Sequence, residues 1–334
     1  MSYKKIIIIS SIILPIILIV WFFKLANNYP RKIDLKYRPD YFGVTFSKKT
    51  AAVLNLDWRE LYLAILDDLQ VKQIRLPIYW DEIEKADGQY DFSDYDYLLT
   101  EGAKRNVKFI ASIGWRLPRW PECHTPTWLK GSETEKIKNE TLKMLEVTVN
   151  HYKDQTAIVY WQVENEPLLN VFGECPPADE NFLRKETALV RSLDSRPIII
   201  SSSGELGSWK KEAQLADIFG ATLYRVVWGK YTGYIRYPMP SWYYRLKAIL
   251  AGVKPGRRFI LELQAEPWAP TGLFSDLTPA QINKSFDLQQ FKANTQYAIN
   301  VNFDKAYLWG VEWWYSELKQ GHGEYWALAK TLFK

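Results

Sequence analysis

After residue 40, short apolar segments alternate with amphipathic segments of helical period along the whole chain. The apolar segments are rich in β-branched and aromatic residues and are bounded by turn residues, which predicts β-strands. Eight strands are predicted, over residues 41–46, 72–77, 107–113, 158–163, 197–202, 217–224, 258–263 and 305–311. The clearest helices between them are predicted over 57–68, 95–105 and 133–151. Strands that alternate with helices indicate a parallel sheet, and eight of them match a closed (β/α)8 barrel.

A doubly wound open sheet is the alternative fold for this alternation. Such a sheet would hold a phosphate or a dinucleotide in a glycine-rich loop after a strand, and no such loop follows any predicted strand. The sequence therefore favours an α/β fold with one (β/α)8 TIM barrel over residues 39–334, without an internal repeat or a second domain.

The chain begins with an apolar segment that stands apart from the barrel pattern. Residues 6–23 are all apolar or hydroxylic, and Pro15 is the only helix breaker among them. A segment of this length can span a bilayer. Because Lys4 and Lys5 precede it, the positive-inside bias places the N-terminus in the cytoplasm and the rest of the chain outside.

We therefore predict a single-pass protein of the cytoplasmic membrane. A cleaved signal peptide is the alternative, but Lys24 stands where a small-x-small cleavage site before Asn27 would need a small residue. The predicted parts are a cytoplasmic stub over 1–5, an uncleaved transmembrane anchor over 6–24, a linker over 25–38 and the catalytic domain over 39–334.

Charge and composition narrow the classes of partner. The net charge is +5, but part of the excess lies in the basic residues around the apolar segment, so no nucleic-acid partner is indicated. Aromatic residues make up 15% of the chain and include 15 Trp. Flat aromatic surfaces commonly bind sugar rings. The predicted partners are a carbohydrate and, through residues 6–24, a lipid bilayer; no protein partner is implied.

The most informative polar residues are Asn165 and Glu166, at the end of the predicted fourth strand. Residues 157–161 are β-branched and aromatic, and Pro167 prevents continuation of the strand, so both side chains lie where strand becomes loop. Barrel enzymes of this fold carry their reactive groups at the carboxyl ends of strands. An Asn and a Glu would also be accepted at a strand end that is merely solvated. The residues at the other strand ends must therefore show whether a functional site is formed.

The remaining strand ends supply carboxylates, an arginine and aromatic rings. They include Arg75, Trp80, Tyr224, Glu262, Glu266, Trp313 and Trp314. Because His and Cys are not clustered there, neither a metal nor another cofactor is indicated. Hydrolysis of a glycosidic bond needs two carboxyl groups on either side of the anomeric carbon. Strands four and seven are nearly opposite in an eight-stranded barrel, so we expect Glu166 and Glu262 to face each other over a sugar.

Three segments resemble clan A glycoside hydrolases, the (β/α)8 enzymes that include families 5, 10 and 42. Residues 161–167, with Asn-Glu-Pro, are similar to the strand-four motif of this clan, residues 75–92 to its second-strand region, and residues 311–315 to its strand-eight ending. The resemblance covers roughly residues 41–331, without a close match to one family.

The resemblance implies a retaining glycosidase with Glu166 as the acid/base and a glutamate of strand seven as the nucleophile. It also implies that Asn165 binds the sugar 2-hydroxyl and that Arg75 and Tyr224 orient the nucleophile. A tryptophan of strand eight, predicted as Trp313 or Trp314, would form the floor of the reacting-sugar subsite. Strand seven offers two glutamates; Glu262 is preferred as the nucleophile because it ends the apolar run, and Glu266 is expected to bind substrate.

The two cysteines of the chain, Cys123 and Cys175, fall in the loops after strands three and four. We predict a disulfide between them, because neighbouring loops outside the cytoplasm bring thiols within bonding range. The predicted function is a membrane-anchored retaining glycosidase that cleaves β-linked bonds in a polysaccharide or oligosaccharide. A non-catalytic carbohydrate-binding barrel and a transglycosylase with the same intermediate are the alternatives.

Overall fold

The computed structural model describes residues 40–272 and 274–333. The predicted stub, membrane anchor and linker, over residues 1–38, lie outside the described residues. Within the part that is described, no helix is both long and apolar enough to cross a membrane.

Eight parallel strands close a barrel in the described part of the chain, which confirms the predicted fold. Their order around the barrel follows the sequence, and the last strand pairs with the first. The strands are β1 (Phe42–Thr45), β2 (Gln73–Pro77), β3 (Lys108–Ile113), β4 (Ile158–Val163), β5 (Ile198–Ser202), β6 (Ile218–Leu223), β7 (Arg258–Gln264) and β8 (Lys305–Trp309). Most of their residues are buried, because helices cover the outer face and side chains fill the interior.

Helices connect the strands and cover the barrel. They are α1 (Lys48–Val53), α2 (Trp58–Asp67), α3 (Trp80–Ile83), α4 (Ser93–Lys104), α5 (Thr134–Tyr152), α6 (Glu180–Leu193), α7 (Lys210–Leu215), α8 (Ser241–Leu250), α9 (Pro279–Ser285), α10 (Leu288–Val301), α11 (Val311–Lys319) and α12 (Glu324–Lys330). The predicted helices agree with α2, α4 and α5 to within two residues at each end. Short 3-10 turns lie at Thr127–Leu129 and Phe274–Asp276.

Several helices begin at the capping residues that the sequence provides. The side chain of Asp57 accepts hydrogen bonds from two backbone N–H groups of the first turn of α2, and Asp179 does the same for α6. Such caps satisfy donors that have no partner inside the helix. Two antiparallel ribbons, Glu84–Ala86 with Gln89–Tyr90 and Val226–Gly229 with Gly233–Arg236, project from the loops.

The prediction that the eighth strand runs to residue 311 is wrong. β8 ends at Trp309, and Gly310 follows with φ of 135°. A Cβ at Gly310 would lie 2.6 Å from the Cβ of Glu266, so only glycine fits both this conformation and this close approach. The chain then enters α11, so Val311 and the residues up to Lys319 lie on a helix and not at the strand end.

Candidate active site

Arg75 lies on β2 and reaches into the barrel with its side chain completely buried. Its guanidinium donates to Gln162 Oε1 at 2.7 Å, Asn165 Oδ1 at 2.8 Å and Glu262 Oε1 at 2.9 Å. A buried cation needs paired and hydrogen-bonded surroundings. These acceptors lie at the carboxyl ends of β4 and β7, so Arg75 joins the two strand ends that carry the candidate catalytic residues.

Glu262 is oriented by a β-bulge and by two donors. The register of β7 against β6 shifts between Ile260 and Glu262, so that Glu262 pairs with Thr222. A bulge changes the direction of the side chains that follow it. One carboxylate oxygen accepts from Arg75 and the other from the Tyr224 hydroxyl, each at 2.9 Å. Burial, together with the charge of Glu262, raises the pKa of Tyr224 well above its usual value, so this hydroxyl keeps its proton and remains a donor.

The backbone after β4 adopts a strained conformation at the candidate acid. Glu164 and Glu166 both have positive φ, 60° and 46°, which residues other than glycine rarely adopt. The carboxylate of Glu164 accepts from the backbone N–H groups of Trp115 and Arg116, both at 2.6 Å. The N–H of Glu166 donates to the Ser201 hydroxyl at 2.9 Å. These bonds, to the loop after β3 and to β5, compensate the strain and fix the direction of the segment.

Glu166 lies in a different environment from Glu262. Its Oε1 accepts from the Thr222 hydroxyl at 2.9 Å. Burial first, and the negative charge of Glu262 second, raise the pKa of Glu166 to about 8. A carboxyl group with this pKa is largely protonated at neutral pH and can donate a proton. Glu262 instead has Arg75 as a partner, so the two groups are suited to different roles.

The amide of Asn165 is oriented by its partners. Its Oδ1 accepts from Arg75 at 2.8 Å and from the Ser201 hydroxyl at 3.2 Å. These donors show that the amide oxygen, and not the nitrogen, faces Arg75. The Nδ2 therefore points the other way, where Glu122 Oε2 lies 3.5 Å away. Asn165 thus presents a donor next to the two candidate catalytic carboxyls, as binding of a sugar hydroxyl requires.

Glu122 is a third carboxyl of this site that the sequence did not predict. It is buried in the loop after β3, and Arg116 Nε lies 3.7 Å from its Oε2. Burial raises its pKa well above the usual value, Arg116 opposes this, and the charges of Glu262 and Glu166 raise it further. Glu122 is therefore close enough to interact with both candidate catalytic groups. It lies well past the end of β3, so the strand-end rule could not select it.

Trp80, predicted to bind substrate, lies in the hydrophobic core instead. It begins α3, its ring is completely buried, and its Nε1 donates to Glu84 Oε2 at 2.6 Å. Because α3 begins at Trp80, the ring packs into the core cluster next to this helix. Trp80 is therefore a structural residue, and the prediction of its role is wrong.

Trp313 and Trp314 are also buried rather than placed at the mouth. Both lie on α11; Trp314 Nε1 donates to the Ala265 carbonyl at 2.6 Å, and Trp313 packs against Tyr325 at 4.5 Å between ring centroids. They stabilise the packing of α11 against its neighbours. The predicted subsite floor at these two residues is wrong, because β8 ends before them.

Trp309 is the tryptophan that ends β8. The guanidinium carbon of Arg119 lies 3.9 Å from its ring centroid. The same guanidinium contacts Glu266 at 2.5 Å and Glu312 at 3.2 Å. Glu266, predicted to bind substrate, therefore belongs to a cluster of charges beside the aromatic ring at the strand end. Burial raises the pKa of Glu312 to about 7, although Arg119 opposes that change.

The two cysteines are bonded to each other in the structure. The S–S distance between Cys123 and Cys175 is 2.02 Å, and 52 residues separate them in the sequence. The bond connects the loop after β3 to the loop after β4. Both loops lie at the mouth of the barrel beside the carboxyl groups described above.

Comparisons with known proteins show which proteins this chain is similar to. No family model matches the chain. Among curated proteins, it is similar to mannan endo-1,4-β-mannosidase A of Emericella nidulans, with 23% identity over 135 residues, which are 38% of this chain and 35% of that protein. The chain thus spans about a third of the length of this relative.

Among solved structures, the chain is similar to xylanase 10B from Thermotoga petrophila RKU-1, with a TM-score of 0.55, 13% identity, and coverage of 83% of this chain and 84% of that one. It is also similar to a GH42 β-galactosidase from G. stearothermophilus, with a TM-score of 0.57 and 11% identity. That match covers 80% of this chain and 50% of the β-galactosidase.

The barrel and these neighbours confirm the predicted resemblance to clan A (β/α)8 glycoside hydrolases, without a close match to one family. At identities this low, the likeness to solved structures establishes the fold. The activity of this chain must be argued from its own carboxyl groups.

Proposed function

We propose that the protein is a retaining glycosidase that cleaves β-linked O-glycosidic bonds in an oligosaccharide or polysaccharide. The observation that carries this proposal is the meeting of two buried carboxyl groups with opposite surroundings. Glu262 is paired with Arg75, whereas burial raises the pKa of Glu166 to about 8. A double displacement needs one ionised and one protonated carboxyl at the same anomeric carbon.

The proposed reaction has two steps. First, Glu262 attacks the anomeric carbon as the bond to the leaving oxygen breaks, and Glu166 transfers its proton to that oxygen. Next, the Glu166 carboxylate takes a proton from water, whose oxygen attacks the anomeric carbon and breaks the ester bond to Glu262. Both carboxyl groups return to their starting states. Asn165 binds the sugar 2-hydroxyl, and Tyr224 and Arg75 hold the nucleophile.

The choice of a β-linked substrate rests on the relatives. The similar proteins include a mannan endo-1,4-β-mannosidase and a β-galactosidase. Several aromatic rings also lie at the barrel mouth, among them Tyr224 and Trp268, whose centroids are 5.5 Å apart. Rings of this kind pack against the apolar faces of sugars.

The test of the proposed function is a panel of aryl β-glycosides with the purified full-length chain. We expect release of the phenol from at least one of them, and an initial sugar product of unchanged anomeric configuration by NMR. A product of inverted configuration would contradict the retaining mechanism. A chain with Glu262→Gln, purified in the same way, controls for a contaminating glycosidase. Binding of glycans without any turnover would favour the non-catalytic barrel.

We also propose that residues 6–24 anchor the protein in the cytoplasmic membrane with the barrel outside. The apolar run of residues 6–23 after Lys4 and Lys5 supports this orientation. The bond between Cys123 and Cys175 suits an oxidising compartment. Protease added to intact spheroplasts of an expressing bacterial host should degrade the barrel; a barrel that is cleaved only after lysis would contradict the orientation.

A further inference from the structure

The loop between β3 and α5 crosses the mouth of the barrel. We name residues 114–126 the crossing loop. β3 and β7 lie on opposite sides of the barrel, yet Arg119 of this loop is paired with Glu266, which follows β7. The two guanidinium nitrogens contact the two oxygens of Glu266 at 2.5 and 3.1 Å. A paired arrangement of this kind is geometrically specific, so it fixes the crossing loop on the far side of the mouth.

Further contacts attach the crossing loop to other strand ends. Arg119 also contacts Glu312, at the start of α11 after β8, at 3.2 Å. Glu312 in turn accepts from the backbone N–H of Ser47, which follows β1, at 2.5 Å. The carbonyl of Pro118 accepts from the hydroxyl of Tyr79, which follows β2, at 3.0 Å. The loop is therefore held, directly or through Glu312, at the ends of β1, β2, β7 and β8.

The crossing loop covers the aromatic ring that ends β8. Trp309 is 7% exposed, and the Arg119 guanidinium lies over its ring at 3.9 Å from the centroid. A free ring at this strand end would offer a platform for a sugar. Since Arg119 occupies this face, a second sugar unit cannot stack there.

A second loop reinforces the crossing. Phe172, in the loop after β4, contacts Trp120 of the crossing loop and Trp268 after β7, with centroid distances of 5.9 and 6.4 Å. The bond between Cys123 and Cys175 ties the two loops together. The aromatic contacts therefore extend the closure from β3 and β4 towards β7.

A cavity of about 330 Å³ lies between the loops after β4 and β5, lined by residues that include Leu168, Asn170, Ser202, Leu206 and Lys211. None of the candidate catalytic residues is among those that line it. Because Glu166 gives its proton to the leaving oxygen, the leaving group must lie on the side of the mouth where β4 ends.

Part of the crossing loop contacts the segment after β4, since Glu122 lies beside Asn165 and Cys123 is bonded to Cys175. Its Arg119 is held instead at the ends of β7 and β8, and β8 is opposite β4 in the barrel. The Arg119 end therefore lies across the mouth from Glu166, on the side of the sugar that is transferred to Glu262.

We propose that the crossing loop, fixed by Arg119 with Glu266 and Glu312, closes the glycone side behind a single sugar unit, so that the protein removes sugars from the non-reducing ends of glycan chains. This inference rests on the proposed glycosidase. A chain that continued past the reacting sugar would meet the Arg119 guanidinium. A terminal sugar instead offers its outer hydroxyls to the donors of Arg119 and the acceptors of Glu266.

The first test needs no variant. Reducing-end-labelled oligosaccharides of the sugar and linkage that the aryl glycoside panel selects are incubated with the full-length chain. We expect loss of one unit at a time from the non-reducing end. An acetal across the outer hydroxyls of the terminal sugar should slow cleavage by about 100-fold or more, because it clashes with the closed side.

The outcomes separate the two proposals. Early fragments of several units, or equal rates on blocked and unblocked chains, would overturn the closed glycone side and leave the glycosidase proposal intact. A protein that turned over none of the aryl glycosides would overturn the proposed function, and the present inference with it.

The second test removes the closure. Arg119→Ala should reduce the preference for unblocked over blocked chains by about 10-fold or more, with new internal cleavage. Arg59→Ala, at a half-exposed arginine of α2, is the matched control and should keep the wild-type preference. Circular dichroism shows whether Arg119→Ala is folded. If it is not, a triple variant that also carries Glu266→Gln and Glu312→Gln takes its place, because it leaves no unpaired carboxylates. A folded variant with the wild-type preference would overturn the inference.

Discussion

Replacing Glu262 with alanine is expected to lower kcat/KM on an activated aryl β-glycoside by about 10⁵-fold. The reason is that the change removes the oxygen atom proposed to bond to the anomeric carbon. An activated phenol leaves without a proton, so on this substrate the nucleophile matters more than the acid. Arg75 and Tyr224, which donate to the two oxygens of Glu262, would both lose this acceptor, although Arg75 would keep Gln162 and Asn165. Initial rates of phenol release at low substrate concentration measure the loss.

Azide distinguishes a lost nucleophile from a damaged fold. In Glu262→Ala the anion can enter the vacated space and attack the anomeric carbon, which should restore turnover and yield a glycosyl azide of inverted configuration. Glu266→Ala is the matched control, because Glu266 is the other glutamate of the same strand end and pairs with Arg119 instead. Azide rescue of Glu266→Ala, with Glu262→Ala remaining active, would show that the nucleophile had been assigned to the wrong glutamate.

The barrel was predictable because buried parallel strands carry near-continuous apolar runs. The strand β5, for example, is Ile-Ile-Ile-Ser-Ser with every residue buried. The positions of Arg75, Asn165, Glu166, Tyr224 and Glu262 followed from the same pattern, since parallel strands of a closed barrel bring their carboxyl ends together. One rule of topology thus predicted which distant residues meet.

The errors arose where the chain leaves a strand. Whether an aromatic ring after a strand faces the mouth or the core depends on where the next helix begins. α3 starts at Trp80, and α11 starts directly after Gly310, so the rings of Trp80, Trp313 and Trp314 turn into the packing between elements. Trp309 is the tryptophan that lies at the strand end. Gly310 and Val311 continue the apolar run after it, so the sequence does not show where β8 ends.

Loop residues were the least predictable part of the site. Arg119 and Glu122 both follow β3 and adopt positive φ, 83° and 73°, in a loop without periodic pattern. Their partners, Glu266 for one and Arg116 for the other, are set by the path of the loop across the mouth. Local sequence carries no signal for contacts that depend on a path of this kind.

Replacing Glu166 with glutamine is expected to cause a loss that depends on the leaving group. Glutamine keeps the size of the side chain but has no carboxyl proton to give. We expect kcat/KM to fall by about 10³- to 10⁴-fold for a sugar or alkyl leaving group, and far less for a dinitrophenyl group, which needs no proton. A series of aryl glycosides measures this as a steeper dependence of log kcat/KM on the pKa of the phenol.

The pH profile gives an independent measure of the same residue. Burial and the charge of Glu262 raise the pKa of Glu166 to about 8, and the protonated form is the active acid, so kcat/KM of the wild type should fall as the pH rises through about 8. Glu166→Gln should lack this alkaline limb. Thr222→Val removes the hydrogen bond that lowers the pKa of Glu166, so it should move the limb to higher pH. An unchanged alkaline limb in Glu166→Gln would assign the proton to another group, and the buried carboxyl of Glu122 is the next candidate because it interacts with both Glu166 and Glu262.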